Sequence, residues 1–382
     1  MPPLSTPVRS LLCRYAAVAS LVASCLMVLF LMASCSTGNR SADKGGNLQY
    51  AEWLRLTDRE GYSVAVVLNP WKPGEELHRY VLEQHPGAAP DSVSGTRIKV
   101  PLQRAVSGIS AHVHLAFRLK AGECFAGLTD AGYATSAMLK AALADGRLQD
   151  CGQGMAPNLE TLALLHPSAL LLSPFHNAGY GALEQLGIPI VECADYMETT
   201  PLGRAEWMRF YGRLYGRAAE ADSLFALEEK EYRAHCSRKP QRNGRRPQML
   251  TDCPTGDAWY VPGGDSYMAR MFEDAGFAYP FADIPQTGGV PLSFEPVFTA
   301  AHDADIWSIR SATPLTYASL RTSDPRYRRF RAFQTQQIWL CNTVETPYYD
   351  EVPFAPSALL AELMALRHAI PADTLRYFRP LQ

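Results

Sequence analysis

The sequence predicts an α/β protein built as two lobes joined by one long helix, and three observations carry that expectation. Short apolar strand-like runs alternate with amphipathic helical stretches between residues 120 and 195, and the alternation returns between 248 and 342. Between them lies the longest helical pattern of the chain, from Thr200 to about His235. Finally, NLETLALLHPSALLLS at 158–173 is echoed 135 positions later by SFEPVFTAAHDADIWS at 293–308. Each opens with a small polar residue, an apolar one and a glutamate, then passes through helical spacing into a buried-strand run.

Residues 1–35 read as an export signal and stand apart from the fold. Arg9 and Arg14 supply a positive start, an apolar run extends from Ala16 to Met32, and small residues precede a cysteine. Met32-Ala33-Ser34-Cys35 resembles the bacterial lipobox, whose cysteine becomes the acylated N-terminus, with methionine in place of the usual leucine. Cys25, after Val22-Ala23-Ser24, would truncate the apolar core, so Cys35 is the expected lipidation site. The alternative is an uncleaved membrane anchor. Either way the rest of the chain is expected outside the cytoplasm, tethered to a membrane. STGNRSADKGGN at 36–47 lacks periodicity and reads as a flexible tether.

The first lobe is expected over 48–200. YAEWLRLTDREGYSVAVVLNP alternates and turns at Asp58 to Gly61, a hairpin pattern. Strand-like runs follow at 78–84 and 104–110, then a helical stretch from Ala111 to Leu119. From there ECFAGLT, SALLLSP and PIVECAD read as strands, separated by helical SAMLKAALADG, ETLALL and GALEQLG. The interlobe helix is expected over 201–238. Thr200 caps it, Pro201 suits its first position, and Trp207, Phe210, Tyr211, Leu214, Ala218, Ala221 and Phe225 follow at three- and four-residue steps. Unbroken, it would run about 50 Å and act as a stiff strut. The second lobe, 239–382, holds strand-like QMLTDC, DADIWSIR and QIWLCN and the helical SYMARMFEDAG. RKPQRNGRR at 238–246 reads as a solvated loop.

Composition excludes several classes. A net charge of −2 with 19% charged residues offers no basic face for nucleic acid. Cys124, Cys151, Cys193, Cys236, Cys253 and Cys341 are widely and irregularly spaced, with no CxxC pair, and are expected mainly as small core residues, with room for one disulfide in an oxidising envelope. GxSxG, P-loop, HExxH and GxGxxG motifs are missing.

Some residues stand out as candidates for binding. His112 and His114 in SAHVH would share one face of a strand and could grip a metal or an iron porphyrin; otherwise they cap or solvate a helix start. In DAWYVPGGDSY, Trp259 and Tyr260 offer flat apolar faces suited to a large planar or chelated ligand, unless one ring faces the core. Tyr133, Tyr180 and Tyr196 follow strand ends, where open α/β sheets place their ligands. Glu160 and Glu295 stand in first helical turns behind Asn158 and Ser293, where the helix dipole favours an acid by a few tenths to about 1 kcal/mol. That explains each alone; a matched pair, one per lobe, also suits docking onto a symmetric, arginine-bearing partner.

Taken together, KVPLQRAVSGISAHV, ECFAGLTDAGY, GRLQDCGQGMAPNLETLALLHPSALLLSP, LGIPIVECADYMETTPLGRAEWMRFYGRLYG, DAWYVPGGDSYMARMFEDAGFAYPF and PLSFEPVFTAAHDADIW resemble the substrate-binding lipoproteins of ABC importers for ferric siderophores, haem and cobalamin, over roughly residues 48–380. The resemblance implies the class III periplasmic-binding-protein fold, two Rossmann-like lobes joined by one long helix. It implies a small metal chelate held between the lobes, with Tyr133, Tyr180, Tyr196, Trp259, Tyr260 and Arg310 as cleft candidates. Glu160 and Glu295 would meet arginines of an ABC permease dimer that works with a cytoplasmic ATPase. The protein would then be a monomeric, periplasm-facing binding protein on a lipid anchor, without catalysis, cofactor or nucleic-acid partner. Two departures stand out: the histidines of SAHVH, and YYDEVPFAPSALLAEL, where relatives carry tryptophan and glycine. The alternatives are a haem or corrinoid shuttle independent of a permease, and a chelatase-like enzyme on a similar scaffold.

Overall fold

The computed structural model of the protein describes residues 48–154, 156–237, 245–367 and 374–382. The expected signal segment, Cys35 and the tether lie outside these residues.

The hairpin forms as β1 (Leu54–Arg59) and β2 (Tyr62–Leu68), closed by Glu60 and Gly61, whose φ of +80° only glycine adopts freely. Antiparallel β3 (Glu76–Glu83) and then parallel β4 (Thr96–Lys99) complete a four-stranded sheet. Its alternation sends Leu54, Leu56, Ala65, Val67, Tyr80 and Leu82 into the first core.

A second sheet carries the alternating pattern. Its elements run β5 (Ala105–Ser107), α1 (Ser110–Arg118), β6 (Phe125–Leu128), α2 (Ala137–Ala144) and β7 (Gln149–Asp150). There follow the small pair β8 (Gly152–Gln153) and β9 (Ala156–Pro157), α3 (Leu159–Leu165), β10 (Leu170–Leu172) and β11 (Ile190–Glu192). The strand order is β11-β10-β5-β6-β7, all parallel. GALEQLG, expected as an α-helix, is a 3-10 segment over Gly181–Leu186 bracketed by Gly181 and Gly187 in the left-handed region, too short to propagate an α-helix. The Tyr80 hydroxyl donates to the Ile190 carbonyl at 3.0 Å and accepts the Glu192 N–H at 2.9 Å, fixing the first sheet to the edge of the second.

The single interlobe helix expected over 201–238 is divided into α4 (Pro201–Glu206), α5 (Met208–Leu214) and α6 (Ala218–Ser237). The chain turns at Gly216, φ +68°, where the Gly216 N–H bonds to Arg213 O and the Arg217 N–H to Gly212 O, the Schellman pattern that ends helices. A Cβ on Gly212 would sit 2.3 Å from Ala221 Cβ, so a glycine there lets α5 and α6 lie against each other. The apolar spacing that suggested one strut arises because Phe210, Tyr211 and Leu214 of α5 and Ala221 and Phe225 of α6 all enter the first core. Tyr232, two turns further along α6, enters the second. The connection between lobes is therefore α6, preceded by a fold-back.

The second lobe comprises β12 (Met249–Thr251), β13 (Trp259–Pro262), α7 (Tyr267–Asp274), β14 (Gly289–Leu292), α8 (Phe294–Ala301) and β15 (Ile306–Ser311). It continues through α9 (Tyr317–Ser323), α10 (Arg331–Gln334), β16 (Ile338–Asn342), α11 (Tyr348–Glu351), α12 (Pro356–Leu366) and β17 (Phe378–Pro380). Strands order β12-β15-β16-β17, parallel except β17, with β13 and β14 as a separate antiparallel pair. The sequence echo is a structural one. In each lobe the second strand of a two-stranded pair (β9, β14) leads through Asn158 or Ser293 into a short helix (α3, α8) and then an inner strand of the parallel sheet (β10, β15).

The described residues form one compact unit, and YYDEVPF ties its two lobes together. Asp350, fully buried on α11, accepts the backbone N–H groups of Thr135 and Ser136 at 2.8 and 2.7 Å, at the start of α2 in the other lobe. Phe354 lies in the first core, 5.9 Å from the His112 ring and 5.6 Å from that of Tyr211. The departure noted in the sequence is a clasp between lobes.

Candidate functional site

Each parallel sheet opens on a cavity at the carboxyl ends of its strands, where loops leave successive strands in different directions. In the first lobe the cavity is about 670 Å³, lined by Gly108, Asp130, Leu172, Phe175, Tyr180 and Leu183 among others. Phe175 and Tyr196, whose ring centroids are 6.4 Å apart, stand at the ends of β10 and β11, and the Tyr196 hydroxyl donates to Pro174 O. In the second lobe the cavity is about 640 Å³, with Cys253, Asp257, Phe294, Arg310, Asp324 and Arg326 in its wall.

Two aspartates just past strand ends organise the polar groups where the lobes meet. Asp195, after β11, accepts hydrogen bonds from His112 Nε2 at 3.0 Å, the Tyr211 hydroxyl at 2.8 Å and Arg204 Nε at 3.0 Å. Arg204 Nη1 reaches across to the Tyr267 hydroxyl of the second lobe at 2.6 Å. Burial works to raise the Asp195 pKa, but the hydrogen bond from His112 and the charge of Arg204 outweigh it and leave the carboxyl at about 2. Asp252, after β12, holds Arg310 through Nε at 3.0 Å and through Nη2, and the guanidinium lies 5.8 Å from the Tyr348 ring centroid. The half-exposed Tyr349 adjoins it.

The expected site residues separate clearly. Tyr180 lines the first cavity and Arg310 the second, while Tyr196 is half-buried beside Phe175. Tyr133, 61% exposed, follows β6 in a 3-10 turn. His112 and His114 lie on α1, not a strand, so a two-residue step turns them to different sides; both are buried, and His112 is committed to Asp195. Neither the shared ligating face nor a solvated helix start is what they form. Trp259 is fully buried, its indole N–H bonded to Thr251 O at 2.9 Å and its ring stacked on Trp307, a core residue that also backs the wall of the second cavity. Tyr260, 52% exposed, points the other way from the β13 pleat. The Pro262-Gly263-Gly264 glycines admit a neighbouring loop: a Cβ on Gly264 would meet Ala282 O at 2.0 Å.

Glu160 and Glu295 are both exposed in the first turns of α3 and α8. Asn158 Oδ1 accepts the N–H groups of Glu160 and Thr161, whereas Ser293 makes no side-chain cap. Glu160 has no ion-pair partner among the described residues; Glu295 lies 3.5 Å from Arg326, which covers the Phe294 ring at 3.8 Å. Among the described residues no cluster of three or more His, Cys, Asp or Glu side chains could hold a metal.

Residues 128–343, more than half of the chain, match the family described as periplasmic binding protein. The chain belongs to the periplasmic binding protein family. Two uncharacterised lipoproteins of Methanocaldococcus jannaschii are similar to it. One is 28% identical over 203 residues, 52% of this chain and 48% of its own length, so the match spans about half of that relative. The other is 24% identical over 308 residues, 77% of this chain and 76% of its own length. Among solved structures, a periplasmic haem-binding protein from Pseudomonas aeruginosa shares the fold, with a TM-score of 0.58 and 16% identity over 73% of this chain and 98% of its own. Among the described residues no helix is long and apolar enough to cross a membrane.

This periplasmic binding protein gathers, where its lobes meet and at the second cavity, residues its sequence did not single out: Asp195, Arg204, Tyr267, Asp252, Tyr349 and Asp350. A signal existed for two of them, since PIVECAD and QMLTDC each place an aspartate shortly past an apolar run. Glu192 adds a titrating group beside the first cavity. Its carboxyl is raised to about 7 by burial, tempered by the nearby Tyr180 hydroxyl. The folded state then holds a proton that the unfolded chain releases near pH 4.5, so this stabilising contribution is complete below about 4.5 and is lost as pH rises through 7. Glu192→Gln is expected to leave stability unchanged at pH 4.5 and to raise it by about 1–2 kcal/mol at pH 8, measured by urea unfolding at both values. Equal effects at the two pH values would refute the assignment.

Proposed function

We propose that this protein is the solute-binding lipoprotein of an ABC importer: anchored through Cys35, it captures a metal chelate between its lobes and delivers it to a permease dimer driven by a cytoplasmic ATPase. The chelate is an iron complex, such as a ferric siderophore or haem, or a cobalamin. The observation that carries this reading is the pair of cavities at the carboxyl edges of two parallel sheets within one compact unit. The haem-binding protein of Pseudomonas aeruginosa, similar in fold, supports the ligand class. Glu160 and Glu295, repeated at equivalent places in the two lobes, support docking onto a dimer. Binding and release suffice for this role, and the protein acts as a monomer without a cofactor.

The test is a tryptophan-quenching titration of the purified mature protein with haemin, cobalamin and ferric siderophores, with mass spectrometry of whatever co-purifies. Micromolar or tighter binding of one of these is expected. Metal release from a porphyrin in excess of protein would instead make the protein a chelatase.

A further inference from the structure

We propose that the solute accepted between the lobes is an electroneutral metal chelate instead of a polyanionic one. The inference rests on the binding function proposed above and names the charge class of the ligand at that same site. Its basis is how the arginines near the cavities are engaged. A site for a polyanion presents cations whose charge is available to the ligand. Here, among the described residues, each arginine in the walls of the two cavities, and Arg204 beside Asp195, is already matched by a carboxylate of the same chain.

Arg310 in the second cavity is gripped in a fork by Asp252. Arg326 in the same wall is held by Asp324 at 2.7 Å and shared with Glu295 at 3.5 Å. Arg204, where the lobes meet, is bound to Asp195 at 3.0 Å. Asp257 adds a further acid to the second cavity. In the first cavity Asp130 is the only charged lining residue among the described residues, and its Oδ2 accepts the Gly154 N–H at 3.0 Å. The combined lining therefore carries no surplus positive charge.

What it does offer is hydrogen-bond donors, hydroxyls and flat rings. Arg310 remains partly exposed, Tyr349 and Phe175 are about half exposed, and Leu172 and Leu183 give the first cavity an apolar wall. A polyanion entering such a site would lose its hydration without meeting a free cation. A neutral chelate loses only polar surface hydration and gains from every part of its apolar area that is buried.

Three ferric complexes test this on the mature protein by tryptophan quenching: a neutral trihydroxamate, the same trihydroxamate carrying one free carboxylate, and a trianionic tris-catecholate. The neutral complex should bind at least about tenfold tighter than the trianion, with the monoanion between them. Equal or tighter binding of the trianion, or of haemin with its two propionates, would overturn the proposal. A second arm uses Asp252→Asn, which leaves Arg310 unmatched while asparagine tolerates the left-handed backbone there, φ +56°. With fold checked by circular dichroism, this variant should narrow the gap between neutral and anionic complexes; an unchanged ratio would also count against the proposal. If neither these complexes, cobalamin nor haemin binds, the metal-chelate function itself falls, and the charge class with it.

Discussion

Replacing both Glu160 and Glu295 by lysine is expected to abolish solute uptake by cells, while Glu160→Lys alone leaves the purified protein's ligand affinity within about twofold. Both side chains are exposed and neither belongs to the polar groups around Asp195 or Asp252. Reversing them turns an attractive surface into a repulsive one toward an arginine-bearing partner, where opposed like charges cost several kcal/mol. The folded state loses little, because a first-turn acid contributes about 0.3–1 kcal/mol through the helix dipole. The two positions should not be equal. Glu295 already shares its charge with Arg326, whereas Glu160 has no ion-pair partner among the described residues, so the single change Glu160→Lys should reduce uptake more than Glu295→Lys. Uptake by the double variant at half the wild-type rate or better would remove both residues from the docking role.

Asp195→Ala is expected to destabilise the protein by about 3–5 kcal/mol, read from the midpoint of urea unfolding. The change strands three donors at once: His112 Nε2, the Tyr211 hydroxyl and the Arg204 guanidinium, all directed at one carboxylate. Arg204 is the costliest, since a buried cation without its counter-ion pays desolvation in full. Because the Asp195 pKa is lowered in the folded state, its contribution is present above the ordinary carboxylate range and lost as pH falls through about 2. Wild type and variant should therefore differ fully at pH 6 and converge toward pH 2. A loss below about 1 kcal/mol at pH 6 would show that the network is dispensable.

Local signals were legible where a residue's own backbone decides the outcome. The Asp58 to Gly61 turn, the caps Asn158 and Thr200 and the first-position Pro201 all stand where sequence reasoning put them. The surroundings of the large side chains were less legible. A periodicity reports that Trp259 or His112 sits at a special place without telling core from cleft, because both environments favour large, partly apolar side chains. The fold commits His112 to Tyr211 and Asp195, whereas Trp259, stacked on Trp307, is at once core and part of the second cavity's wall.

The sequence by itself determined the α/β class, the two lobes and the paired placement of Glu160 and Glu295, since strand–helix alternation and first-turn positions are properties of neighbouring residues. Tertiary structure alone decided that the long helical pattern folds back at Gly216, that YYDEVPF clasps the other lobe through Asp350, and that Arg310 and Arg204 are already engaged by aspartates. The physical reason is the same in each case. Helical spacing continues through a turn when both segments bury the same face, and a charge is free or matched according to partners many residues away in the chain.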